Sequence, residues 1–251
     1  MNTFKRAINA VLSPFGLEIT RKSWPIAEMS EEDQKLIKSI EPFTMSPASL
    51  WTTAIAVRYV LSNSIPGDVV ECGVWRGGQM MMAANVLRYE REFRMIWLYD
   101  TFAGMTAPTR EDRSRLDDAL YLMSKFERNQ TGEFNKWCYA SIEDVRANME
   151  STLYPKEMVR YIKGAVEKMV LDPINLPAVI SVLRLDTDWY ESSKVELEVL
   201  YPRLIKGGVI ILDDYGHWLG SKKAADEYFA CKGIHLMLHP IDYYSRVAIK
   251  P

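Results

Sequence analysis

Two apolar runs that end in carboxylates constrain the fold of this sequence most. Residues 178–188 and 208–214 are each rich in β-branched side chains and finish in two aspartates. Runs of this kind are typical of strands buried on both faces of a parallel sheet. Between them, residues 190–204 carry apolar side chains at near-helical spacing, and Gly207-Gly208 ends the pattern. The sequence therefore predicts a strand–helix–strand unit.

The aspartates of these two runs are predicted to meet at one edge of the sheet. A right-handed crossover makes the strands parallel, so Asp186, Asp188, Asp213 and Asp214 leave the sheet at its carboxyl edge. Carboxylates in one cleft repel unless they are protonated, paired or bound to a cation, and Mg²⁺ prefers oxygen ligands. The alternative is that these residues only cap helices or form turns, but capping requires one acid per helix and each run has two. We therefore expect a magnesium site here.

A glycine-rich turn follows another predicted strand. Residues 68–72 form the strand, the turn is Gly73-Val74-Trp75-Arg76-Gly77-Gly78, and a helix is predicted over residues 79–89. In such a turn, backbone N–H groups approach a ligand closely at the start of the helix. The spacing departs from G-x-G-x-x-G, so a dinucleotide pyrophosphate is not strongly indicated.

A second acid strengthens the interpretation of this turn. Residues 95–99 form the next predicted strand, which ends in Asp100. A carboxylate in this position can accept hydrogen bonds from both hydroxyls of a ribose. The alternative role of Asp100 is that of a turn or capping residue in Asp-Thr-Phe-Ala-Gly. Together, the turn and Asp100 predict a nucleoside site.

The remaining pattern predicts an α/β, doubly wound sheet with an accessory layer. Helices are expected over residues 141–149 and 221–231, and strands over residues 158–162, 234–238 and 244–249. The last two strands are close enough to form a hairpin, so the final strand is predicted to be antiparallel.

The chain is predicted to divide near residue 65. Residues 1–64 are read as N-terminal helices that form a cap or a subunit contact, with an amphipathic stretch over residues 1–17 and a capping box at Ser30. Residues 65–251 are the main domain. Residues 102–137 are too long for a simple connection and are read as a lid and substrate insertion.

Composition excludes several classes of protein. A chain of 251 residues that is 48% hydrophobic and 25% charged is long enough for one α/β domain with a full core. A net charge of −2 argues against nucleic-acid binding. The cysteines Cys72, Cys138 and Cys231 follow no zinc pattern and fit a reducing compartment, which predicts the cytoplasm. Neither a membrane span nor a signal peptide is expected.

The whole pattern resembles the class I S-adenosylmethionine-dependent methyltransferases, whose seven-stranded sheet has an antiparallel final strand. More specifically, it resembles the macrocin O-methyltransferase (TylF) family of Mg²⁺-dependent sugar O-methyltransferases. The resemblance runs from about residue 45 to the C-terminus, and the matching segments are residues 66–78, 99–105, 185–192 and 201–215.

The resemblance implies roles for individual residues. It assigns Asp186, Asp213 and Asp214 to the metal and Asp188 to the general base. Independently of the resemblance, His217 is the alternative base, because it follows Asp214 by three residues and its imidazole titrates nearer neutrality. The residues implied for S-adenosylmethionine are Glu71, Cys72, Gly73, Val74, Trp75, Gly77, Gly78, Asp100 and Thr101. The resemblance also implies a sugar acceptor and a homodimer.

Three other functions remain open at this point. A catechol-type O-methyltransferase would use the same metal on an aromatic diol, and aromatic side chains near the carboxyl edge include Trp75, Trp189, Tyr215 and Trp218. A nicotinamide-dependent oxidoreductase would require a better pyrophosphate turn and has no use for four acids. A non-catalytic adenosine-ligand binding protein would keep the turn but not the acids.

Overall fold

The computed structural model of the chain describes residues 27–44 and 46–251. The chain separates into two compact units, Met1–Leu36 and Ile37–Pro251. Among the described residues, the first α-helix is α1 (Glu31–Ile40), which starts at Ser30, whose hydroxyl oxygen accepts the Asp33 N–H at 3.0 Å. This bond confirms the predicted helix start. The amphipathic stretch predicted over residues 1–17 lies outside the described residues.

Helices and strands alternate through the second unit. In chain order after α1 they are α2 (Pro47–Ser62), β1 (Asp68–Cys72), α3 (Gly78–Tyr89), β2 (Ile96–Asp100), α4 (Ala119–Asn129), β3 (Gln130–Thr131), β4 (Phe134–Asn135), α5 (Ile142–Ser151), β5 (Val159–Lys163), α6 (Val166–Met169), β6 (Ile180–Leu185), α7 (Tyr190–Val199), β7 (Leu204–Leu212), α8 (Leu219–Cys231), β8 (His239–Pro240) and β9 (Arg246–Ile249). Single turns of 3₁₀ helix occur at Glu41–Phe43, Lys156–Met158, Pro173–Asn175 and Tyr201–Arg203. No helix in this described part is long and apolar enough to cross a membrane.

Seven strands form one mostly parallel sheet in the order β5-β2-β1-β6-β7-β9-β8. The first five strands in this order pair in parallel, and β9 pairs antiparallel with both β7 and β8. The doubly wound α/β fold and the antiparallel final strand are thus confirmed.

The strand predicted over residues 234–238 is wrong. Ile234, Leu236 and Leu238 pack against the core, while Met237 between them is exposed. This alternation produces a strand-like sequence, but the segment makes no ladder hydrogen bonds. Pairing begins only at the two-residue strand β8.

Both faces of the sheet are covered, which explains the nearly continuous apolar strands. Alternate residues such as Val70, Leu183 and Ile210 pack with Leu197 of α7 and Phe229 of α8. The intervening residues of each strand point to the opposite face, where α2 packs against α3 and contacts β6 and β7.

The insertion over residues 102–137 contains α4 and the β3–β4 hairpin. A hydrogen bond from the Asn135 N–H to the Ala103 carbonyl, at 2.7 Å, links the two ends of the insertion just after β2. Gly104 has a φ of +82°, and a Cβ on it would lie 1.8 Å from the Asn135 carbonyl oxygen. The insertion is therefore closed at its base. The boundary near residue 65 stays a prediction.

Candidate active site

The register of the sheet brings the ends of three strands together. Cys72 of β1 pairs with Leu185 of β6, and Leu185 pairs with Leu212 of β7. The residues that directly follow these three strands are Gly73, Asp186 and Asp213. They therefore leave the sheet next to one another. A cavity of about 680 Å³ opens above this edge.

Three aspartates converge at the cavity. Asp186, Asp213 and Asp214 each offer a carboxylate oxygen, and these oxygens all lie within 4.8 Å of one another. The side chains of Asp186 and Asp213 are 28% and 22% exposed, and both line the cavity. Within residues 27–44 and 46–251, this is the one group of three or more acidic, His or Cys side chains spaced to hold a metal.

The electrostatics of these aspartates favour a cation. Burial raises the pKa of Asp186 well above its usual value, and repulsion from Asp213 adds to the rise. Burial and the charges of Asp188 and Asp213 do the same to the pKa of Asp214. At Asp213, burial is outweighed by the charge of Arg184 and by the Ser245 hydroxyl, so its pKa is lowered. Several carboxylates crowded into one buried cluster fit a hard divalent ion such as Mg²⁺, which prefers oxygen ligands.

Asp188 lies beside the three aspartates. Its backbone N–H donates to Asp214 Oδ2 at 2.9 Å, and its φ of +66° is in the left-handed region, which Asp adopts more readily than most residues. Burial and the neighbouring charge of Asp186 raise the pKa of Asp188 to about 8. A positive charge at the neighbouring aspartates would lower this pKa again and favour the ionised form, which can accept a proton.

His217, the alternative base, also lines the cavity. Its ring packs against Trp218 and Tyr244, with centroid distances of 4.6 and 5.1 Å. Its Nδ1 is buried and has no hydrogen-bond partner among the described residues. Burial lowers the pKa of His217, so the imidazole is neutral at pH 7.

Asp100 organises the glycine-rich turn. Its Oδ2 accepts the N–H groups of Val74 and Trp75 at 2.7 and 3.0 Å, and its Oδ1 accepts the Phe102 N–H at 2.7 Å. A carboxylate has about four acceptor positions, so most of this capacity is used by the protein itself. Contact between Asp100 and a ribose stays a prediction, with little acceptor capacity left for it.

Gly73 is required by the protein's own backbone. Its φ is +80°, and a Cβ on it would lie 1.7 Å from the Asp186 carbonyl oxygen. Gly78 is restricted in a similar way, because a Cβ there would lie 2.4 Å from the Phe43 carbonyl oxygen. The turn therefore packs directly against the backbone of the acidic cluster.

Most of the residues predicted from the sequence share this cavity. They are Glu71, Gly73, Val74, Trp75, Gly78, Asp100, Thr101, Asp186, Asp188, Asp213, Asp214 and His217. Cys72 is fully buried in the core, and Gly77 is the left-handed residue that precedes α3, so neither lines the cavity.

Arg184 is a site residue that the sequence interpretation missed. Its Nε donates to Glu71 Oε1 at 2.9 Å, and its Nη2 lies 2.8 Å from both Asp186 Oδ2 and Asp213 Oδ1. The available signal was an arginine in a strand whose other residues, apart from Ser181, are apolar, two residues before Asp186. Such an arginine requires buried carboxylate partners.

The insertion contributes an aromatic wall. Trp137 of the insertion contacts Trp189 and Trp218, and the three ring centroids lie 5.2 to 6.5 Å apart. The Trp189 indole N–H donates to the Thr106 carbonyl at 3.0 Å. Lys125 lies 3.8 Å from the Trp137 ring and lines the cavity with it. The insertion thus lies over the acidic edge.

The fold is that of the class I O-methyltransferases. The calicheamicin methyltransferase CalS11 has the same fold, with a TM-score of 0.58 and 19% identity over 93% of this chain and 98% of that chain. The O-methyltransferase NovP has a TM-score of 0.71 and is 31% identical, over 83% of this chain and 82% of that chain.

The chain belongs to the macrocin O-methyltransferase (TylF) family, whose profile matches residues 46–248. It is 35% identical to the demethyldecarbamoylnovobiocin O-methyltransferase of Streptomyces niveus over 69% of this chain. It is 36% identical to the 8-demethyl-8-(2,3-dimethoxy-alpha-L-rhamnosyl)-tetracenomycin-C 4'-O-methyltransferase of Streptomyces olivaceus over 63% of this chain. The matches span 62% and 57% of those two enzymes, which is less than two thirds of their length.

Proposed function

We propose that this protein transfers a methyl group from S-adenosylmethionine to a hydroxyl of a sugar in a glycosylated natural product, with Mg²⁺ at the acidic cluster. The observation that carries the proposal is the convergence of Asp186, Asp213 and Asp214 in the cavity that the glycine-rich turn also lines. Family membership supports the methyl transfer, and the rhamnosyl acceptor in the name of one relative supports the sugar.

The cavity suits a methyl donor and an acceptor side by side. Gly73, Val74 and Trp75 of the glycine-rich turn line it, as do His217 and Tyr244. S-adenosylmethionine, the methyl-donating substrate, supplies a methyl carbon bound to a positively charged sulfur. The acceptor would lie between this carbon and the aspartates.

In this proposal, Asp188 takes the proton from the acceptor hydroxyl. The hydroxyl oxygen forms a bond to the methyl carbon, and the electron pair of the carbon–sulfur bond stays on sulfur. The products are a methyl ether and S-adenosylhomocysteine. The position of Asp188 supports this role, because it lines the cavity and its backbone N–H donates to Asp214 Oδ2, which places it next to the proposed cation site.

Asp186, Asp213 and Asp214 would hold the cation. When bound, a divalent ion supplies positive charge that lowers the pKa of a nearby hydroxyl and favours the ionised form of the surrounding carboxylates. The three side chains are positioned for this by the ends of β6 and β7 and by their hydrogen bonds to Arg184, Ser245 and the Asp188 backbone.

Calorimetric titration tests the proposal in two stages. S-adenosylhomocysteine is titrated first, and Mg²⁺ is then titrated into the complex of the wild type and of Asp213→Asn. We expect nucleoside binding in both proteins and Mg²⁺ uptake in the wild type alone. Absence of nucleoside binding would refute the methyltransferase proposal, whereas equal Mg²⁺ uptake by both proteins would refute the metal site.

The acceptor is tested separately by methyl transfer to a panel of glycosides and aromatic diols in the presence of Mg²⁺. We expect transfer to the glycosides. Transfer to catechols alone would overturn the sugar assignment and leave the methyltransferase assignment in place.

A further inference from the structure

Hydrogen bonds within the protein occupy one carboxylate oxygen of Asp186 and one of Asp213. The Arg184 guanidinium donates from Nη2 to Asp186 Oδ2 and lies equally close, at 2.8 Å, to Asp213 Oδ1. Asp213 Oδ1 also accepts the Ser245 hydroxyl at 2.6 Å. The second oxygen of each carboxylate, Asp186 Oδ1 and Asp213 Oδ2, receives no bond from a nitrogen or hydroxyl donor of the described residues.

The guanidinium is itself fixed from two further directions. Its Nε donates to Glu71 Oε1 at 2.9 Å, and its Nη1 donates to the Ser49 hydroxyl of α2 at 3.1 Å. The side chains of Arg184 and Glu71 are 3% and 1% exposed. A buried planar fork with partners on three nitrogens has no alternative arrangement at similar free energy, so it holds its carboxylate partners in one orientation.

Fixed orientation of this kind limits how a cation can bind. Ca²⁺ takes six to eight oxygen ligands and commonly binds both oxygens of a carboxylate. Mg²⁺ is smaller and octahedral, and it is usually bound by single carboxylate oxygens and water. We infer that Arg184 is a positioning residue that restricts Asp186 and Asp213 to one free oxygen each and thereby makes the site selective for Mg²⁺ over Ca²⁺. This inference rests on the metal site of the proposed function.

The test is the ratio of the Ca²⁺ and Mg²⁺ dissociation constants, measured by calorimetry on the complex with S-adenosylhomocysteine. The principal variant is Arg184→Met/Glu71→Gln, which removes the fork and replaces the buried Glu71 carboxyl, whose partner is lost, by an uncharged amide. We expect the double variant to gain Ca²⁺ affinity relative to Mg²⁺ by about tenfold, since changes next to metal ligands alter affinity by 10–100-fold. A change in the ratio of less than threefold would overturn the inference.

Arg184→Lys provides a second variant that keeps the positive charge. Its single ammonium cannot bond Glu71 and both aspartates together, so the ratio should move in the same direction. Lys125→Met is the matched control, because it removes a positive charge from the same cavity and Lys125 has no hydrogen bond to the aspartates. Lys125→Met should change the affinities for Ca²⁺ and Mg²⁺ by the same factor. A shift in the ratio of the two dissociation constants as large as that in the Arg184 variants would contradict the inference.

The experiment distinguishes failure of the metal site from failure of the role proposed for Arg184. A wild type that binds S-adenosylhomocysteine but neither cation refutes the site and, with it, the role of Arg184. A wild type that binds both cations, with the same ratio in every folded Arg184 variant, refutes only the role of Arg184.

Discussion

Gly73 offers the most direct test of how the turn and the acidic cluster depend on each other. A methyl group at this position would lie 1.7 Å from the Asp186 carbonyl oxygen. Cβ atoms in proteins do not approach another heavy atom to less than 3.0 Å. In Gly73→Ala the two backbones must therefore separate by at least 3.0 − 1.7 = 1.3 Å. Gly132→Ala is the matched control, since Gly132 also has a positive φ, of +54°, but no atom of the described residues lies within 4 Å of the added carbon.

Gly73→Ala and Gly132→Ala share one cost in folding free energy, and Gly73→Ala has a second cost of its own. A left-handed backbone costs a residue with a Cβ about 1–2 kcal/mol, and this applies to both. Gly73→Ala adds the cost of forced displacement in a packed region, about 1–3 kcal/mol. We therefore expect the free energy of unfolding to fall by about 2–5 kcal/mol in Gly73→Ala and by about 1–2 kcal/mol in Gly132→Ala.

Urea denaturation measures the stability difference, and Mg²⁺ titration measures its effect on the site. Metal–ligand distances tolerate about 0.2 Å, so a displacement of 1.3 Å next to Asp186 should abolish high-affinity uptake in Gly73→Ala alone. The reasoning would be refuted if the two variants had stabilities within about 0.5 kcal/mol of each other and both bound Mg²⁺ like the wild type.

Three further predictions concern buried charges and the base. Arg184→Met alone leaves Glu71 buried without its partner and should lower the free energy of unfolding by about 3–5 kcal/mol in urea, with partial recovery when Glu71→Gln is added. Burial raises the pKa of Glu196 to about 8 from 4.5, so the folded state binds more protons and stability should fall as pH rises between these values. Glu196→Gln should flatten this dependence in thermal melts, and an unchanged slope would exclude Glu196 as its source. Asp188→Asn should lower kcat about 10²–10⁴-fold in a methyl-transfer assay and His217→Asn less than tenfold; the reverse order would identify His217 as the base.

The arrangement of the strands was predictable because it depends on local pattern and chain connectivity. Apolar runs that end in aspartates indicated buried parallel strands, and the crossover rule placed their carboxyl ends together. The observed register, in which Cys72, Leu185 and Leu212 are neighbours, then brings Asp186 and Asp213 side by side. The cluster of three aspartates follows from the topology of the sheet.

The partners of individual side chains were not predictable in this way. Arg184 and Glu71 are 113 residues apart, and only the pairing of β1 with β6 makes them adjacent. Likewise, sequence pattern placed Asp100 at the end of a strand but did not indicate that the N–H groups of Val74 and Trp75 would turn towards it. Both contacts depend on loop geometry and register, which residue types alone do not determine.

The indoles of Trp137, Trp189 and Trp218 give the protein a built-in fluorescence reporter. Their centroids lie within 6.5 Å of one another, and Trp137 and Trp218 line the cavity beside the acidic cluster. Exclusion of water from this wall should shift the emission to shorter wavelength, and an aromatic ligand stacked on it should quench the signal. Libraries of unlabelled glycosides can therefore be screened optically for binding before any methyl donor is added.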